Sequence, residues 1–310
     1  MENWKLVLVG YSGFLHGISM VSLLHVERMR EEIVIMQNSC METELKLIRE
    51  GINCVRRYFV TLGALSVSSI VSVPLAVSLI SSVAPCMPPL LSSMMILDCK
   101  DWGDDDSSGV LVKVGIGIME FYAWTVITGT ICYGLYIPLL YPVEIKFLIL
   151  DIIKNKFWKK ETCARNHGNR HLHLYRILNL LTIYRNNAWC LPSMPVVIGG
   201  VIAADTVSLY ILVTSYDQVP LLILILFSII CLDCMIIIHV VFNILSKPYT
   251  TSCDFIEFMK SRNGTKWVKR FMRSCQPSKL TMGDGTFFDR LTSFVIWQKG
   301  IDYLITLLLM

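Results

Sequence analysis

Four ionisable residues stand inside long apolar stretches of this chain: Glu120, Asp205, Asp233 and His239. A charge at mid-membrane costs on the order of 2.5 to 3.5 kcal/mol, so each is either a hydrogen-bonded member of a helical bundle or part of an ion or ligand path. Asp205 and Asp233 fall on consecutive apolar segments joined by a short turn, Ser215 to Gln218, which lets both face one internal cavity. Other spacings carry less chemistry. Cys231-x-x-Cys234 would be a redox or metal pair in water, but inside an apolar helix it reads as two small packing residues. His167, His171 and His173 have only a distant Cys163 to complete a ligand set, so they read as a polar turn and no metal is expected. No nucleophile and base pair, phosphate loop or paired-carboxylate motif is visible, so neither an enzyme nor a cofactor is expected.

The elements that carry these residues are membrane helices. Six apolar stretches run at about Leu6 to Val26, Tyr58 to Val83, Val114 to Val143, Ala188 to Thr214, Val219 to Ser246 and Phe287 to Met310. The composition is 54% hydrophobic and 17% charged, more apolar than a soluble domain of this length can hide. Tyr58 to Leu97 contains no Asp, Glu, Lys or Arg, long enough for one crossing of a roughly 30 Å hydrocarbon layer and an outer loop. Unbroken apolar runs exclude a barrel, whose strands would alternate. The predicted class is therefore an all-α, polytopic membrane protein with a single domain of six spans. Of the 28 Lys and Arg residues, 23 lie in loops 27–57, 144–187 and 247–286, whereas the two intervening loops hold Lys100 and Lys113. Basic residues stay on the cytoplasmic side, so those three loops are expected inside and both ends outside. The bilayer is the predicted partner, and no nucleic acid is expected.

Several loops refine this picture. No small-residue cleavage pattern follows the first stretch, so it is read as a membrane helix rather than a signal peptide. An outward amino terminus without a signal raises the expectation of a further helix upstream. The outer run Leu97 to Asp106 is acidic and reads as a solvated loop. Cys86 and Cys99 are the two cysteines expected outside, where they can pair. Residues 144–187 and 247–286 are periodic and are predicted as helical extensions. Ile145, Leu148, Ile152 and Ile153 share a face opposite Lys146, Lys154 and Lys156. Beyond a polar break at Asn166 to Asn169, polar residues recur at His173, Arg176, Asn179, Thr182 and Arg185 along a helix rising into the fourth span. In the last inner loop Phe255, Ile256, Phe258 and Met259, then Trp267, Val268, Phe271 and Met272, form faces that need partners, either each other or a second subunit. Asn263-Gly264-Thr265 is the only glycosylation triplet and is expected inside, unmodified. The final stretch is broken by Asp289, Arg290, Lys299 and Asp302. It suits protein or water better than lipid, with Lys299 and Asp302 placed to pair.

This arrangement resembles the insect gustatory and odorant receptor superfamily, seven-helix proteins with the carboxyl terminus outside. The six stretches look like that family's second to seventh helices, with its long inner loops. The family's last helix carries a Thr-Tyr, five-residue, Gln-Phe signature; here Asp302-Tyr303 precedes Leu304 to Leu308 and then Leu309-Met310, so Tyr303 and the spacing match and three positions depart. Lys269 to Met272 and Gly283 to Asp289 also look like the family's approach to that helix. The resemblance implies a chemosensory receptor at the plasma membrane that assembles as a homo- or hetero-tetramer. It would conduct cations when a small organic molecule binds in the outer half of each bundle. It further implies a pore along Phe294 to Met310, with Trp297, Asp302, Tyr303, Thr306 and Leu309 as candidate pore or gate residues, and an anchor from 144–187 and 247–286. Tyr122, Trp124, Tyr133, Tyr136 and Asp205 are the candidate ligand residues; core packing explains the aromatics equally well. Two alternatives stay open: a carrier using Asp205, Asp233 and a break at Gly199-Gly200, and a partner subunit without conductance of its own.

Overall fold

The computed structural model describes residues 3–50, 56–86, 109–158, 165–217, 219–261, 266–283 and 285–309. The acidic loop, Cys99, Lys159 and the Asn263 triplet lie outside them, as do the side chains of His167 and His171. The described residues are mainly helical, joined by turns and coil, and their β structure is a single antiparallel bridge between Thr281 and Phe287. We number the helices in chain order. α1 is Asn3–Arg28, α2 Arg30–Arg49 and α3 Arg57–Val83. α4 is composite, running Val110–Gly134, through a π-helical turn Leu135–Leu140, to Tyr141–Trp158. α5 is Arg165–Ala188 and α6 Ser193–Thr214. α7 runs Leu221–Ile236, through a π-helical turn Ile237–Val241, to Phe242–Ser261. α8 is Lys266–Ser274 and α9 Thr292–Leu309.

Five helices, α1, α3, α4, α6 and α7, are long and apolar enough to cross a membrane. The most apolar window of α6 is 50% buried, against 22 to 33% for the other four. α6 is therefore the central post: α1, α7 and α9 pack on it, and α3 pairs with α4. The remaining apolar surface faces outward, as lipid requires. The sixth predicted stretch is not among the five. It is helical over only 18 residues that include Lys299 and Asp302.

Its start differs from expectation for a chemical reason. Asp289 Oδ1 accepts from the Leu291 N–H at 3.0 Å and the Thr292 hydroxyl at 2.8 Å, and the Asp289 N–H donates to Thr292 Oγ1 at 2.9 Å. Such side-chain bonds fix a helix start. Ahead of it, the Met282 N–H donates to the Thr286 carbonyl at 2.9 Å and the Phe288 N–H to the Leu280 carbonyl at 3.0 Å, with positive φ at Gly283 (94°) and Gly285 (90°), a conformation glycine adopts without strain. The helix accordingly begins at Thr292 rather than Phe287.

At the end of the bundle where the basic loops gather, the extensions pack on one another, while Trp267 stays exposed. α2 lays Met36, Cys40 and Leu47 against α4 and α5. Tyr175 on α5 stacks on Phe255 of α7, ring centroids 5.3 Å apart. The polar break at Asn166 to Asn169 is instead the first turn of α5; one internal glycine costs only about 1 kcal/mol, which the rest of the helix offsets. α5 does not run into the fourth span, because the chain turns at Trp189 to Pro192 and α6 begins at Ser193. The predicted facing of α4 also fails at one residue. Lys146 is buried, since α2, α5 and α7 cover α4 from several sides and leave it no free face there.

Candidate functional site

A cavity of about 250 Å³ opens inside the bundle, walled by α1, α3, α4, α6 and α7. Its lining is mainly apolar, with Tyr11, Leu15 and Ile18 from α1, Leu62, Leu65 and Val73 from α3, Trp124 and Ile127 from α4, and Val197, Val201 and Ala204 from α6. A few polar groups converge on it. Asp233 of α7 accepts a hydrogen bond from Ser69 of α3 at 2.7 Å, and both line the space. At the basic end His25 closes it, its ring nitrogen 2.9 Å from the Ala188 carbonyl. Trp189 lies beside it and donates from Nε1 to the Pro138 carbonyl at 3.1 Å. An apolar pocket with a few fixed polar groups suits a small, largely apolar organic molecule carrying a hydrogen-bond donor for Asp233. It lies from mid-bundle toward the basic end, nearer that end than the resemblance implies.

Both π-helical turns border this space. Pro138 and Leu140 come from the first, Ile237 and Val241 from the second. A π turn widens the helix by one residue and breaks the regular ladder, a feature found often at functional sites. Pro138 contributes directly, because it has no N–H to donate.

Of the sequence candidates, Trp124 is on the cavity wall, with His16 edge-on to its ring at 6.3 Å. Tyr136 is half-buried and does not line the cavity; it stacks on Phe59, with its hydroxyl donating to the Phe59 carbonyl at 3.1 Å. Tyr122 and Tyr133 point outward, 72% and 50% exposed. Asp205 and Asp233 do not share the cavity. Asp205 is buried between α6, α7 and α9, where Oδ1 accepts from the Cys231 thiol at 3.9 Å. A Cβ on Gly300 would stand 3.8 Å from its Oδ2, and the Thr206 hydroxyl donates to the Gly300 carbonyl at 3.4 Å, so α9 sits close against α6 there. The cavity residues that sequence reasoning missed are Tyr11, His25, Ser69 and Trp189. His25 and Trp189, each at the end of an apolar stretch, were the available signal.

α9 buries Thr292, Ser293, Ile296 and Gly300 and turns its other faces outward. Trp297 is half-buried, tilted against the His239 ring with centroids 5.3 Å apart. Asp302, Tyr303, Thr306 and Leu309 are exposed. Lys299 and Asp302 are both exposed and do not pair, contrary to the spacing argument. Cys86 is disulfide-bonded, whereas Cys99 lies outside the described residues. Cys231 and Cys234 are free thiols packed in α7, as their apolar setting suggested. No protein-family model matches this chain, and no curated protein matches it.

Proposed function

We propose that this chain is a chemosensory receptor of the gustatory and odorant type, a subunit of a ligand-gated cation channel that opens when a small organic molecule fills the bundle cavity. The cavity is the observation that carries this reading: it is internal, apolar, built by five helices and equipped with Asp233, Ser69 and His25 as polar contacts. α9 supports it. A helix that exposes Lys299, Asp302 and Thr306 on an apolar background needs water or another subunit on that face, as a helix beside a shared axis has. In this reading α9 is the sixth crossing, the basic loops are cytoplasmic, and four subunits meet at the plasma membrane.

Voltage-clamp recording of cells expressing the chain, alone and with related subunits, tests it. Small organic compounds should evoke cation current, and Trp124→Ala should shift the concentration giving half-maximal response. Saturable, gradient-coupled uptake without such current would instead identify a carrier. That alternative loses one support in the structure, since α6 runs unbroken through Gly199-Gly200. A chain that conducts only beside a related subunit would be the partner-subunit case.

A further inference from the structure

One carboxylate stands in the wall of the bundle cavity without a counter-charge. Among the described residues that line the space, Asp233 is the only Asp or Glu, and no Lys or Arg joins it. The one imidazole on the wall, His25, is engaged with the Ala188 carbonyl at the basic end. Asp233 accepts from Ser69 at 2.7 Å, although the Leu65 carbonyl, 3.1 Å from the same hydroxyl oxygen, competes for its single hydrogen. Asp233 makes no other hydrogen bond or ion pair among the described residues. A carboxylate has about four lone-pair sites, so most of its acceptor capacity is unused. Among apolar walls that is costly unless a cation or further donors meet it.

Helix register sets the depth of this group. α1 and α7 both run toward the basic end, and they touch where Tyr11 meets Phe227, ring centroids 5.7 Å apart. Asp233 lies six residues beyond Phe227, about 9 Å along the axis, and His16 five residues beyond Tyr11, about 7.5 Å. His16 is edge-on to Trp124, so the Trp124 ring and Asp233 stand at nearly the same level, in the mid-bundle part of the cavity. From there the wall continues along eight residues of α7, about 12 Å, to Val241. Leu62, Val197 and Ile237 make that stretch apolar, until His25 and Trp189 close it.

The space therefore has a carboxylate and an indole at one end and a hydrocarbon-like channel leading from them. An anionic ligand would meet Asp233 with no Lys or Arg to offset the repulsion. An alcohol or phenol brings one donor and no charge. A protonated amine brings up to three donors and the missing charge, and an indole face is the aromatic surface that cations prefer. Its hydrogen bonds to a carboxylate are also roughly twice as strong as neutral ones.

We propose that the cavity takes an amphiphilic amine, its ammonium against Asp233 at the level of Trp124 and its apolar body lying toward His25. This rests on the cavity being the ligand site, as proposed above, but not on the chain conducting ions.

Binding of tritiated 4-phenylbutylamine to the full chain in lipid nanodiscs, with currents recorded in parallel from cells expressing it, tests this. Saturable binding is expected. The unlabelled amine should displace it at concentrations at least about tenfold lower than 4-phenylbutanol, and 4-phenylbutyrate should not displace it. Asp233→Asn keeps the bulk and an acceptor for Ser69, so it should fold and lose the preference. There, with thermal melting as the readout, amine and alcohol should raise the midpoint at concentrations within about threefold of each other. No saturable binding, equal displacement by amine and alcohol, or an Asp233→Asn protein that still prefers the amine would overturn the assignment. Amine binding without current would leave it standing and remove the channel reading. Current evoked by the alcohol as readily as by the amine would do the reverse.

Discussion

Gly63→Ala tests how the first π-helical turn is seated. A Cβ at Gly63 would stand 2.7 Å from Tyr136 Oη, 3.0 Å from Cζ and 3.2 Å from Cε2, so the ring must move. Two contacts resist that movement. The ring stacks on Phe59 with centroids 4.7 Å apart, and its hydroxyl bonds the Phe59 carbonyl at 3.1 Å. Losing an aromatic stack costs about 0.5 to 1.5 kcal/mol and an interhelical hydrogen bond in a membrane on the order of 0.6, together roughly 1 to 2 kcal/mol. That falls within the range of about 1 to 3 kcal/mol for overpacked cores. In a Tyr136→Ala background the three obstructing atoms are gone, and the same glycine substitution should cost less than about 0.5 kcal/mol. Unfolding of the four proteins by SDS in mixed micelles gives the cycle. A coupling energy of at least about 1 kcal/mol is expected; additivity within about 0.5 kcal/mol would show that the ring is not seated on Gly63, and the wall built on Pro138 would go with it.

Other outcomes follow from the same geometry. With its thiol pushed up to about 12, Cys40 is on the order of one part in ten thousand thiolate at pH 8, so iodoacetamide should label it far more slowly than half-buried Cys190. Its rate should rise about tenfold per pH unit, and labelling of the folded protein at the Cys190 rate, read by peptide mass spectrometry, would contradict the buried setting. Trp124→Ala should lower stability by roughly 3 to 5 kcal/mol while enlarging the cavity, so bulkier compounds should gain potency relative to small ones in dose-response recording. Asp302→Ala should change cation selectivity or conductance under the proposed function, and identical single-channel behaviour would count against α9 as the pore helix. Ser69→Ala removes the donor to Asp233 and should cost roughly 0.6 to 1.7 kcal/mol in the same SDS assay.

What the sequence made legible was set by whether one residue property decides the outcome. α3 begins and ends within a residue of its apolar stretch, because the basic pair Arg56-Arg57 and the end of the apolar run coincide with its limits. α9 was misjudged by five residues, since hydropathy is blind to the Asp289 cap that starts it. Lys146 was placed outward by its charge, yet three neighbouring helices cover that part of α4, a tertiary fact no local pattern contains. Asp205 and Asp233 sit on neighbouring helices, but they diverge by where each helix turns its face: one against Gly300 of α9, the other toward Ser69 of α3. The cavity was legible only at Trp124 and Asp233, because five helices contribute its lining and sequence separation hides their meeting.

The two π turns give the cavity a physical origin. Regular helices packed side by side close their interface to crystal-like density, and a void of this size would forfeit dispersion contacts along its whole wall. α4 and α7 each pass the void at an irregular turn, Leu135–Leu140 and Ile237–Val241, where an extra residue per turn shifts the register of side chains below it relative to those above. Above the turns, α4 faces α3 through small residues: a Cβ on Gly117 would stand 2.6 Å from Ser82 Oγ. Below them, α4 is buried from Leu139 to Leu150 against the basic-end helices. One helix thus meets two different sets of neighbours with two different registers, and the space is left where the registers change. A cavity made this way adjoins both ends of the helices that wall it, so under the proposed function a molecule entering it would press on α7 segments that also contact α9.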